Sequence, residues 1–182
     1  GRLPMTLGKR QADYPSVVSF GGDVGQKSSY SEGLFVGYRG FDEQHLEPAF
    51  PFGFGLSYGR FLYSDLAVVA AADGSAQVQL EVRNVGRRAS HEVVQVYLAP
   101  PTHSRVARPP QELKAHSVVS LAPGQSQKIT MTLEPRAFAY WDDRTKAWTV
   151  EAGQFEVRVG GSSRDHRLRQ RLDVPARSWP SR

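Results

Sequence analysis

From residue 62 onward apolar and polar residues alternate with a period of two. Val78, Leu80 and Val82 stand between Gln77, Gln79, Glu81 and Arg83, the pattern of a strand with one face in a core and the other in water. The same period predicts strands over 92–99, with Val94, Val96 and Leu98 on one face, and over 113–121. It predicts further strands over 128–133, with Ile129, Met131 and Leu133 inward, and over 148–151, 155–160 and 167–174. A first strand at 66–70 completes the set. Turn residues punctuate them at Asn84-Val85-Gly86, Ala122-Pro123-Gly124-Gln125 and Ala152-Gly153. Seven or eight short strands divided by turns, on a scale of about 100 residues, predict an immunoglobulin-like β-sandwich.

Residues 1–61 are different. They are rich in Gly, Ser, Tyr and Phe, with little period. One strand is predicted, at Leu34-Phe35-Val36-Gly37-Tyr38-Arg39, among glycine turns at Gly21-Gly22-Asp23 and Gly40. A turn near 28–33 is the one helical candidate. So short a segment with one strand hides too little surface to hold itself together. It is expected to pack, either on the sandwich or on a body outside this chain. The opening Gly1-Arg2-Leu3-Pro4 has no initiator methionine, which suits a piece of a longer polypeptide. The division that follows is an irregular segment over 1–61, a sandwich over 62–175 and a tail over 176–182.

Composition adds limits. With 40% hydrophobic and 23% charged residues the chain is globular in type. No apolar run approaches the roughly 20 residues of a membrane-spanning helix, and no signal-peptide pattern opens the chain. The absence of cysteine excludes disulfides, thiolate metal sites and a cysteine nucleophile. His45, His91, His103, His116 and His166 have no ligand spacing, so no metal and no cofactor is expected. The net charge of +5 hints only weakly at an anionic partner. Its densest cluster, Arg164, Arg167, Arg169 and Arg171, alternates with Leu168, Gln170 and Leu172 as on a solvated strand. It lacks the interleaved aromatics of a nucleic-acid surface, so no nucleic-acid partner and no membrane is expected.

Three groups of residues invite a chemical reading. Gly55-Leu56-Ser57-Tyr58-Gly59 spells G-x-S-x-G, but a nucleophile elbow needs a strand before the serine and a helix after it. Here a Pro/Gly/Phe loop precedes Ser57 and β-patterned sequence follows. A hinge in which Gly53, Gly55 and Gly59 let Phe52, Phe54, Leu56 and Tyr58 dock is the better reading. Asp142 and Asp143, beside Tyr140, Trp141 and Trp148, could be a carboxylate pair flanked by sugar-stacking rings. A hairpin turn over 142–146 with an Asx-type bond accounts for them more simply. Glu32, Asp42, Glu43 and Glu47 lie in irregular sequence, where any of them could line a neighbour's cleft.

Taken in order, the segments resemble the C-terminal third of glycoside hydrolase family 3, the β-glucosidase family. Gly1-Arg2-Leu3-Pro4-Met5-Thr6 is similar to its G-[KR]-L-P-V-T-F. Tyr30-Ser31-Glu32-Gly33-Leu34-Phe35-Val36-Gly37-Tyr38-Arg39 is similar to Y-x-E-G-[IL]-x-V-G-Y-R, and residues 50–58 to [FY]-P-F-G-x-G-L-S-Y. Val82-Arg83-Asn84-Val85-Gly86 with Glu92-Val93-Val94-Gln95-Val96-Tyr97 resembles V-x-N-x-G…E-V-V-Q-x-Y. Arg108-Pro109-Pro110-Gln111-Glu112-Leu113-Lys114, Leu121-Ala122-Pro123-Gly124 and residues 153–160 match further on. Met5 and Leu7 replace the usual Val and Phe, and Ser90 stands where Gly is common.

The resemblance implies a retaining β-glucosidase as parent. This chain would supply the end of its α/β sandwich domain and its fibronectin type III-like domain. Its partners would be the N-terminal catalytic domains and the β-glycoside they bind. The family's nucleophile aspartate and acid/base glutamate belong to motifs absent here. No catalytic residue is therefore assigned, and the chain alone is expected to be inactive. The alternative is a stand-alone carbohydrate-binding sandwich using Tyr140, Trp141, Trp148 and Trp179.

Overall fold

The computed structural model describes residues 1–14, 17 and 31–180. Two antiparallel sheets face each other. One is ordered β1 (Phe61–Ala70), β2 (Ala76–Asn84), β5 (Ser126–Leu133); the other β4 (Glu112–Leu121), β3 (Ser90–Ala99), β8 (Gly153–Ser162), β9 (Asp165–Val174). The chain passes from the first sheet to the second after β2 and returns after β4. The alternating apolar residues of both sheets therefore meet in one core. Val78, Val82, Val94, Val96, Phe155, Val157 and Val159 are fully covered there, with Leu80, Leu121 and Leu133 nearly so. Each such side chain contributes about 1.5–3 kcal/mol by leaving water. The sandwich is thus the one the alternation predicts, and β9 does place its arginines outward, with Leu168 and Leu172 packed against the core.

Asn84 ties one end of the core together. Its amide donates to the carbonyls of Arg88 and Leu121, and its oxygen accepts the Gly86 N–H. Those bonds satisfy a polar side chain with no exposure at all, as burial requires.

A third, small sheet runs β10 (Arg177–Pro180), β7 (Ala147–Val150), β6 (Tyr140–Asp142). The expected tail is corrected at 177–180, which pair with Val150 to Ala147. Proline is compatible because β10 is an edge strand that it ends. The first strand also begins earlier than expected, at Phe61. Its alternation is interrupted by a bulge between Ser64 and Ala67, where Asp65 sits at φ 54.

The expected strand at 34–39 is not formed. Residues 31–34 are a turn closed by the Phe35 N–H on the Glu32 carbonyl, and beyond Gly37, at φ 56, Tyr38 opens the short helix α1 (Tyr38–Glu43). A turn there drives the Tyr38 ring down onto Phe52, at 4.9 Å, and edge-on to Tyr97. Burying an aromatic ring outweighs local β propensity. The glycine turn at 21–23 and residues 28–30 of the turn near 28–33 lie outside the described residues, while 31–33 do form a turn.

Candidate functional site at the seam of the leading segment and the sandwich

Strand β3 is covered on both faces. Val94, Val96 and Leu98 enter the core, while Gln95 and Tyr97 on the opposite face lie under the leading segment. Gln95 donates to the carbonyls of Gly161 and Gly53 and accepts the Tyr97 hydroxyl. Gly53 is at φ 81, and any side chain there would enter the space of the Gln95 carboxamide. Phe52 accepts the Ser163 N–H at 2.9 Å, and the Tyr38 hydroxyl accepts the Leu113 N–H at 2.8 Å. The glycine-aromatic loop is therefore a dock whose backbone must lie close to the sheet.

Two buried carboxylates lock the same seam. Asp42 of α1 accepts Gln111 Nε2 at 2.7 Å and pairs with Arg164 at 2.9 Å. Burial raises its carboxyl above the usual carboxylate range, with the Gln111 and Arg164 contacts partly offsetting it. Glu92, with only 2% of its side chain exposed, meets Arg2 at 2.7 Å and accepts the Tyr63 hydroxyl at 2.9 Å. Arg2 also donates to the Gly55 carbonyl, and Arg167 stacks over the Tyr63 ring at 4.5 Å. Burial, with Glu92 beside it, pushes the Tyr63 hydroxyl far up, so it remains a neutral donor. These are salt-bridged, fully bonded charges of the kind interiors tolerate. They bind the first residues of the chain to strands some 90 positions on.

His166 lies at the rim, its ring edge-on to Tyr97 at 5.5 Å and its Nε2 buried without a partner among the described residues. Burial, with Arg158 and Arg169 nearby, lowers it to about 4. It is neutral at pH 7.

The other candidates are dispersed. Ser57 is exposed, shares a hydrogen bond with the Ser90 hydroxyl at 2.9 Å and accepts the Gly59 N–H. The chain beyond it runs into β1, with no helix. Asp142 accepts the N–H groups of Arg144 and Thr145, and Asp143 bonds Trp141 Nε1 and Lys146. Both therefore serve the hairpin turn; the Thr145 side chain, with the Arg144 and Thr145 N–H groups, holds the Asp142 carboxyl low, and Lys146 and Trp141 hold that of Asp143 low. Of the four acids in irregular sequence, Asp42 turns inward, Glu32 is half-buried, and Glu43 and Glu47 face water. Among the described residues no group of three His, Cys, Asp or Glu side chains could hold a metal ion. Glu92, Gln95 and Gln111 enter the sequence reading only as members of motif segments, with no role of their own. For Glu92 and Gln95 the signal is a polar residue in or beside the apolar run E-V-V-Q-V-Y-L, where a strand covered on both faces loses its alternation.

The chain is similar to known proteins in sequence and fold. A family model described as a fibronectin type III-like domain matches residues 92–163. The chain is 43% identical over 177 residues to the thermostable β-glucosidase B of Acetivibrio thermocellus, covering 96% of this chain and 23% of that protein. It is 40% identical over 165 residues to the exo-α-(1→6)-L-arabinopyranosidase of Bifidobacterium breve, covering 91% of this chain and 22% of that one. The crystal structure of a glycoside hydrolase family 3 β-glucosidase from Bifidobacterium adolescentis matches with a TM-score of 0.91 at 40% identity, over 97% of this chain and 26% of that one. The chain spans about a quarter of the length of these proteins.

Proposed function

The chain belongs to the β-glucosidases of glycoside hydrolase family 3 as a C-terminal portion of them, and from that premise we propose that it is the stabilising, non-catalytic end of a retaining glycosidase. Residues 1–61 are then the end of an α/β sandwich domain with its glycine-aromatic linker, and 62–175 the fibronectin type III-like sandwich, against which 177–180 close. The parent hydrolyses O-glycosyl bonds, and its nucleophile and acid/base lie in catalytic domains outside this match. Relatives with different sugars in their names share this portion, which supports a role other than sugar selection.

The seam carries the reading. Arg2, Asp42, Phe52 and Gly53 all bond to the sandwich, so the sandwich grips a segment that cannot fold alone. The same segment still exposes Met5, Leu34, Leu56 and Tyr58, the last two at 87% and 84%. Large apolar side chains left in water on a segment that cannot fold alone support a further body lying against it. Two measurements test this. The purified 182-residue chain is expected to leave an aryl β-glucoside intact, and hydrolysis above background overturns the assignment. Removing 62–182 from the full-length glycosidase is expected to lower its melting temperature; an unchanged melting curve counts against the stabilising role.

A further inference from the structure

The tryptophans of the small sheet stand in one row. Trp141 opposes Trp148 across β6 and β7, and Trp148 opposes Trp179 across β7 and β10. Directly opposed residues project from the same face, and neighbouring strands are about 4.8 Å apart, so the three indoles form a ladder. Trp148 and Trp179 rest against the core. Trp141 is 36% exposed, its ring centroid 5.5 Å from that of Trp148 and inclined by 65°.

Arg136 lays its guanidinium over the Trp148 ring at 3.9 Å. This contact orders the side chain, yet none of its N–H donors meets an acceptor among the described residues. The Glu134 carboxylate and the Tyr140 hydroxyl are likewise without hydrogen-bond partners there. All of them line one groove of about 640 Å³, within the range of about 300–1,000 Å³ of small-molecule sites. Glu134 and Arg136 also border the adjoining depression that Trp179 lines, so the two hollows meet at these residues.

Flat rings beside an ordered guanidinium, with an exposed carboxylate and a hydroxyl at hand, suit a sugar. Its C–H face lies on an indole, and its hydroxyls both give and take hydrogen bonds. The charges of the groove are mixed, Arg108, Lys114 and Arg136 against Glu112 and Glu134. An anion would meet the carboxylates and a cation the guanidinium groups, whereas a neutral polyhydroxyl chain suits both. We propose that this groove is an accessory binding site for a neutral oligosaccharide, with Trp141 as its platform and Arg136 and Glu134 as its hydroxyl partners. The site rests on this geometry; only the choice of a β-linked glucan as probe rests on the family assignment.

The test is a titration of the 182-residue chain with cellotetraose and with laminaritetraose, followed by tryptophan fluorescence and calorimetry. A saturable change is expected with at least one of them. Trp141→Ala and Arg136→Ala are each expected to weaken it by at least about tenfold, with Ser57→Ala, remote from the groove, unchanged. Circular dichroism and melting establish that each variant is folded, and Glu134→Gln provides a further surface change should Trp141→Ala fail to fold. No saturable response to either sugar at about 10 mM, the regime of very weak binding, overturns the proposal. So does binding that survives both groove substitutions. Neither result bears on the hydrolysis and melting measurements that test the stabilising role.

Discussion

The carboxamide of Gln95 occupies the space that a side chain at position 53 would need. The dock between the leading segment and the sandwich therefore depends on a missing Cβ, in backbone at φ 81 that other residues rarely adopt.

Gly53→Ala is accordingly expected to destabilise the chain by about 2 kcal/mol or more, the backbone strain alone being about 1–3 kcal/mol. The clash with Gln95 adds to it. Gly124→Ala is the control: it too has positive φ, 76, but open space around it. Chemical denaturation should show the greater loss at position 53, and hydrogen exchange should show residues 31–61 loosened only there. Equal losses at the two positions would mean that the contact with Gln95 has no part in stability.

Glu92 is buried beneath Arg2, Tyr63 and Arg167. Removing one partner of a buried ion pair leaves the other charge uncompensated, at a cost of about 3–5 kcal/mol. Glu92→Ala should thus lower the melting temperature by roughly 10 °C, at about 2–4 °C per kcal/mol for a chain of this size. Glu92→Gln retains an acceptor for Tyr63 and should lose less. A melting point for Glu92→Ala within a degree of the parent's would show that the cluster adds nothing.

His166 makes stability depend on pH. Its folded pKa, about 4, lies below the ordinary 6.5, so between these values the unfolded chain binds a proton that the folded chain refuses. Stability should fall as pH drops from 6.5 to about 4 and show no His166 contribution to the slope outside that window. The facing charges are Arg158 and Arg169, which hold the pKa down, and Asp165 and Glu156, which oppose them. Asp42 acts in the opposite sense, its raised carboxyl costing stability as pH rises through the range above 3.8. Urea midpoints of the parent and of His166→Phe at pH 7 and pH 4.5 separate the two. The variant should lose less on acidification, and identical losses would sink the assignment.

Several elements were legible because they depend on neighbours in sequence. The alternation of Val78, Leu80 and Val82 marks a half-buried strand wherever it occurs, and Asp142 bonds to residues only two or three positions on. The strand at 34–39 was misjudged for the complementary reason. Leu34-Phe35-Val36 has β propensity, but the fate of Tyr38 is set by Tyr97 and Leu113, far along the chain.

Period and turn chemistry thus determined the strands and the sandwich class from the residue string alone, because hydrophobic alternation and turn geometry act over a few residues; the family was legible only as a resemblance of ordered motifs. The seam, the pairing of 177–180 with β7, and the row formed by Trp141, Trp148 and Trp179 were decided by the tertiary structure. Each joins residues distant in sequence, and the buried Glu92, Gln95 and Gln111, already bonded within the sandwich, gain Arg2, Gly53 and Asp42 as further partners when the leading segment folds back over β3.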